Sequence, residues 1–181
     1  MQQETPKFSF GIINSEQFLE KLLSEYEDFD KNPISARHAI NCALTAWHLT
    51  DWIYQEHSII KDNFKDSEKT KEKNGITERI KISGLKKFQD HLINQKCKEL
   101  SYMRDISNGS KHCLLRNTEI KGKTLKYIGN YSFKDYSRKD YNVDRFIYED
   151  GNGVKQNFED ALLTVIEFWK NFILQPELLI N

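Results

Sequence analysis

The feature that most constrains this chain is a helix-spaced apolar face running through residues 34–57. Ala36, Ala39, Ile40, Ala43, Trp47 and Tyr54 recur at helical intervals, and Leu44 and Ile53 widen the face. A face that broad must be covered by other elements, so the segment predicts a long, central helix. Pro33 suits a first helical turn, where its missing N–H would be unpaired anyway. Phe18, Leu19, Leu22, Leu23 and Tyr26 predict a helix that starts at a cap on Asn14 or Ser15 and ends near Asp30. Leu162, Leu163, Ile166, Phe168, Trp169 and Phe172 predict a last helix, capped by Asn157, with Glu159 and Asp160 in its first turn and Pro176 marking its end. Apolar periodicity also runs through Ile80, Ile82, Leu85, Phe88, Leu92 and Ile93, and another helix is expected from about Gln95 to His112.

Elsewhere the pattern changes. Residues 6–13 read as a short edge strand. Residues 61–75 carry five lysines, four acids and almost nothing apolar, so a flexible, solvated loop or a frayed helix end is expected there, with Asn74-Gly75 as a turn signal. Residues 124–131 and 143–148 are rich in aromatic and β-branched side chains. Asp150-Gly151-Asn152-Gly153 joins the second run to 154–158 as a hairpin. The predicted fold is therefore mainly α: a helical bundle with a small antiparallel β hairpin or meander before the last helix. It is read as one domain over 1–181, with 122–158 as a β insertion.

At 181 residues the chain is near the usual size of one domain. A chain this long buries roughly 70% of the surface its unfolded form exposes, so it needs no disulfide or metal to fold. Its 27 basic residues balance its 27 acidic ones. Net charge thus singles out no partner, but the distribution is uneven. Residues 111–126 hold Lys111, Arg116, Lys121, Lys123 and Lys126 against Glu119 alone. Cys42, Cys97 and Cys113 form no CxxC pair and are odd in number, which fits reduced thiols in a cytosol. The N-terminus lacks a signal peptide's basic start and apolar run, and no stretch approaches 18 uninterrupted apolar residues. A cytoplasmic protein that does not engage the membrane is the expectation.

The segment Arg104-Asp105-Ile106-Ser107-Asn108-Gly109-Ser110-Lys111-His112 concentrates the chemistry. Arg104, Asn108 and His112 are four apart, so a continuous helix puts them on one face. Arginine grips a phosphate at two points, and histidine moves a proton near neutral pH. Together they suit metal-free RNA cleavage, in which the 2′-hydroxyl attacks the adjacent phosphate while Asn108, Ser110 and Lys111 hold it. Eight helical residues span about 12 Å. Convergence on one phosphate then needs either a bend at Gly109 or a homodimer whose antiparallel helices bring Arg104 of one protomer to His112 of the other. The structural alternative is that Arg104 and Asp105 form ion pairs while Asn108 and His112 satisfy buried backbone groups.

An arginine followed by a polar residue, then a histidine several positions on, late in a helical domain, resembles the HEPN family (higher eukaryotes and prokaryotes nucleotide-binding domains). Seven residues separate Arg104 from His112, where the family pattern has four to six. The resemblance implies a helical bundle, often dimeric. It also implies metal-independent endoribonuclease or RNA-binding activity in bacterial stress or phage defence, with a cognate antitoxin or defence partner. The phrases 45–52 and 105–112 also resemble those of uncharacterised bacterial proteins of this size.

On the central helix, Arg37, Asn41, Thr45 or His48, and Asp51 or Gln55 form a polar stripe that needs partners. His48 and Asp51, three apart, are placed to hydrogen-bond, and with Arg37 they are candidate substrate-binding residues if the stripe faces 104–112. A satisfied core network is the alternative. No HExxH motif, second metal-ligand motif or glycine-rich phosphate loop occurs, so no metal or cofactor is assigned. Lys121, Lys123 and Lys126 interleave with Tyr127, Tyr131, Phe133 and Tyr136, which either packs a sheet or stacks single-stranded RNA. The rival to an RNA enzyme is a non-enzymatic helical module that binds a protein or a ligand.

Overall fold

The computed structural model describes residues 10–73, 76–111, 123–127 and 144–180. The fold is mainly helical with small antiparallel sheets. Helix α1 (Ser15–Lys31) starts where the Asn14 side chain accepts from the Gln17 N–H at 2.9 Å. The central α2 (Ala36–Glu56) is capped by Ser35, one turn later than Pro33 suggests. A short α3 (Ser58–Asn63) follows. After the sheet residues described below, α4 (Gly84–His91) runs into a π turn, and α5 (Leu100–Lys111) is the next full helix. The last helix, α6 (Phe158–Phe172), is capped by Asn157 as expected, with Glu159 and Asp160 in its first turn.

Residues 61–75 are not one loop. Helix α3 reaches Asn63, and β1 (Ser67–Lys73) pairs antiparallel with β2 (Ile76–Ile82), flanking Asn74-Gly75. Charge and lack of apolar residues suggested a solvated loop. A two-stranded ribbon needs no buried face when every inter-strand backbone group is paired, and Thr70, Thr77, Ile80 and Ile82 favour extended backbone. Ile80 and Ile82 therefore belong to a strand. The helical spacing starts only at Leu85, and Phe88 and Leu92 are fully buried. Gly84 is required at the junction. A Cβ there would lie 1.8 Å from the Phe64 carbonyl oxygen and 2.2 Å from the Tyr54 hydroxyl, which itself donates to that carbonyl at 3.0 Å.

The second sheet has the order β3 (Lys123–Tyr127), β4 (Arg145–Glu149), β5 (Lys155–Asn157), all antiparallel, and leads directly into α6. This is the meander expected before the last helix. Half of the expected strand over 6–13 lies outside the described residues, and 10–13 holds a turn.

The core lies around α2. Ala43, Ala46, Leu49 and Ile53 are fully buried, with α1 on one side and α5 on the other. From α6, Ala161, Leu162, Val165 and Trp169 complete the core, and the Trp169 indole N–H donates to the Ala46 carbonyl at 3.1 Å. No helix among the described residues is long and apolar enough to cross a membrane.

Candidate functional site

Helix α5 is continuous through Gly109 to Lys111, so Arg104 and Asn108 share a face one turn apart. Both are half-buried, whereas Ser110 and Lys111 are exposed. Met103 and Ser107, on the adjacent face of the helix, are fully buried. His112, the third member of the expected trio, lies outside the described residues, as do Cys113 and most of the aromatic and basic run from 121 to 136.

Arg104 is held in place by its neighbours. Its Nε donates to Oδ1 of Asp105 at 3.0 Å, and the Tyr148 hydroxyl of β4 donates to Oδ2 of the same carboxylate at 2.9 Å. Tyr148 is almost wholly buried and packs on Tyr102, ring centroids 4.3 Å apart. Its phenol is raised well above the usual tyrosine range, first by burial and then by the Asp105 carboxylate that accepts its proton. Arg104 and Asp105 thus form an ion pair with each other. Only Nε is used, however. The terminal guanidinium nitrogens make no hydrogen bond among the described residues, and the side chain remains 31% exposed. A guanidinium carries five N–H donors, so this one is oriented with most of its donors available.

A cavity of about 460 Å³ opens beside this relay. Helix α2 contributes Ala36, Ala39 and Ile40. Helix α5 contributes Asp105, Ile106, Gly109 and Ser110, and the sheet supplies Lys123, Thr124, Phe146 and Tyr148. Its walls are mainly apolar. Ser110 turns its hydroxyl back to the Ser107 carbonyl at 2.9 Å. Tyr148 and Thr124 went unnoticed as candidates in the sequence. They are 43 and 19 positions from Asp105, and only strand pairing, which sets Thr124 opposite Tyr148, brings them to the helix.

The α2 stripe resolves differently. Arg37 is exposed in the first turn and its Nη2 lies 3.3 Å from Nε2 of His38. Buried Thr45 accepts from Lys21 at 2.6 Å, and Lys21 also pairs with Glu25. Asp51 accepts from Gln89 Nε2 at 3.1 Å, and that amide also reaches Thr50 at 2.9 Å. Among the described residues no hydrogen bond joins His48 to Asp51, so the expected pair does not form. Each is perturbed separately. Burial lowers the pKa of the His48 imidazole, helped by the Lys111 and Lys21 charges, whereas burial raises that of the Asp51 carboxyl against the pull of Lys111. The Lys111 charge is thus felt by both groups, so the end of α5 and the middle of α2 are electrostatically linked. Arg37 belongs to the other end of α2.

Burial pushes the Cys42 thiol up to about 12, with the Glu25 carboxylate adding to the effect, and the Cys97 thiol up to about 11. Both thiols are therefore poor nucleophiles near neutral pH. Among the described residues no group of three His, Cys, Asp or Glu is placed to hold a metal ion. No family model, curated protein or solved structure matches the chain.

Proposed function

We propose that this chain is an HEPN-like RNA-acting protein, a metal-independent endoribonuclease or an RNA-binding relative, serving bacterial stress or phage defence. The observation that carries the reading is the oriented Arg104. Its guanidinium is fixed through Nε by a carboxylate that Tyr148 fixes in turn, while its terminal nitrogens stay available on a partly exposed helix face with Asn108. A positioned guanidinium is what bidentate phosphate binding needs. Lys111 adds a second cation one residue before His112, the general acid–base in this reading. In this reading a homodimer with antiparallel α5 helices brings Arg104 of one protomer toward His112 of the other.

The test is incubation of the purified protein with single-stranded RNA in EDTA. Cleavage should persist, and the products should carry 2′,3′-cyclic phosphate ends because the substrate's own hydroxyl attacks. His112→Ala should lower the rate by about 10²–10⁴, and Arg104→Ala should weaken RNA binding as well as cleavage, both with an unchanged circular dichroism spectrum. If the alanine variants instead only lower the melting temperature and no RNA is cut or bound, these are structural residues and the reading fails.

A further inference from the structure

The geometry points to the cavity between α2, α5 and the β3–β4 strands as a binding site for a planar heterocycle that presents adjacent N–H donors on one edge, the pattern of a guanine base. Three observations carry this. The cavity, at about 460 Å³, falls within the roughly 300–1,000 Å³ typical of small-molecule sites, and its walls are mainly apolar. Its lining suits an apolar ring. On the helical side Ala36, Ala39 and Gly109 contribute almost no side chain beside Ile40 and Ile106, and Phe146 and Tyr148, two apart on β4, line the other. One wall carries the Asp105 carboxylate, whose side chain is only 11% exposed.

That carboxylate decides the ligand's polarity. An ionised carboxylate accepts at about four lone-pair positions. Asp105 uses one on each oxygen, for Arg104 Nε and for the Tyr148 hydroxyl. Each oxygen keeps acceptor capacity, so the unsatisfied demand is for two donors side by side and not for an acceptor. The N1–H and N2–H₂ edge of guanine meets it. Adenine, with a donor beside an acceptor, does not. Arg104 already compensates the charge, which favours a neutral ligand over a cationic one. This site does not depend on RNA cleavage: a protein that cuts nothing would still bind.

The base has two sources, a free nucleoside or a strand of RNA, and titration calorimetry of the whole chain separates them. Guanosine, inosine and adenosine form one arm. Hexamers of single-stranded RNA with and without a guanosine form the other. Guanosine should bind at least about tenfold more tightly than adenosine, with inosine between, since each lost hydrogen bond to a charged acceptor is worth on the order of a tenfold change. Asp105→Asn replaces one acceptor oxygen by a donor and should level the three. Thr124→Trp, at an exposed strand position that tolerates aromatics and lies opposite Tyr148, should fill the cavity and abolish binding without touching Asp105. If only the guanosine-containing hexamer binds, with the same dependence on both variants, the base comes from RNA. Equal affinity for guanosine and adenosine, retained binding in Thr124→Trp, or no binding in either arm overturns the assignment. Guanosine binding is read with no strand to cut, so a failed cleavage assay and a failed binding assay remain separate results.

Discussion

The polar stripe of α2 and the polar face of α5 look alike in sequence, each a run of charged and amide residues at helical spacing, and the fold treats them in opposite ways. On α2 the stripe divides: Arg37, Asn41 and Gln55 lie exposed, and the groups turned inward are matched, Thr45 to Lys21, and Thr50 and Asp51 to Gln89. On α5 the match is partial by construction. Asp105 takes one donor from its own helix and one from β4 and lines a cavity, and the terminal nitrogens of the guanidinium it orients make no hydrogen bond among the described residues. A buried polar group whose partners are all internal specifies the fold, because leaving it unpaired costs about 1–3 kcal/mol. A group that is oriented but not consumed is placed for something outside the chain. Helical periodicity alone cannot separate the two cases, since the partners come from distant elements.

The largest effect expected inside the folded molecule is at Tyr148. Tyr148→Phe keeps the ring that packs on Tyr102 and deletes only the hydroxyl that donates to Asp105. A hydrogen bond to a charged group is worth about 1.5–3 kcal/mol, so chemical denaturation should register a loss of that order with an unchanged slope. The change should also loosen Arg104 and weaken RNA binding. The matching change at the partner of the α2 groups, Gln89→Leu on α4, should reduce stability and leave RNA binding alone. Equal effects on binding from both variants would erase the distinction between the stripes.

A smaller effect of opposite sign is expected at Ser107. It is fully buried on α5 against the core, and its hydroxyl finds no hydrogen-bond partner. Ser107→Ala removes an unsatisfied polar atom and installs the best helix former, so it should stabilise the protein by about 1 kcal/mol. A loss of stability, read as a lower melting temperature, would mean that the hydroxyl is satisfied after all and that α5 is tied to the core on both faces.

Much of this was legible in the sequence. The main helices follow from apolar spacing, and Asn14 and Asn157 were readable as caps because an N-cap acts on backbone N–H groups two or three residues away. The β3–β5 meander followed from its composition and from the Asp150–Gly153 turn. The β1–β2 ribbon was not legible, because hydrophobicity is the signal for a strand with a buried face and this one has none. At the site, Arg104 and Asp105 were readable as ion-pairing residues, whereas their pairing with each other, the Tyr148 hydroxyl and the cavity depend on where the sheet docks against α5. The expected His48–Asp51 pair failed for a related reason. Spacing of three permits contact, but Gln89 from α4 meets the carboxylate instead.

The weakest test of the comparison is also the most selective, because it reads the two α2 groups by their protons. His48 has its pKa lowered below the usual 6.5 by burial, and Asp51 has its pKa raised above the usual 3.8, also by burial. The signs differ. As pH falls below about 6.5 the unfolded chain takes up a proton at His48 that the native state resists, so stability is lost over the interval down to the folded pKa. As pH rises above about 3.8 the unfolded chain releases a proton at Asp51 that the native state retains, so stability is lost over the interval up to the folded pKa. His48→Gln should therefore flatten the fall in melting temperature on acidification from pH 7.5 toward 5, and Asp51→Asn should raise the melting temperature at pH 7 more than at pH 4. The Lys111 charge enters both groups, disfavouring protonated His48 and favouring ionised Asp51. Lys111→Met should accordingly raise both pKa values, which proton-detected titration of His48 reads directly. A His48 titration that ignores Lys111 would place the end of α5 too far from α2 to act on it, and the electrostatic link between the two stripes would be lost.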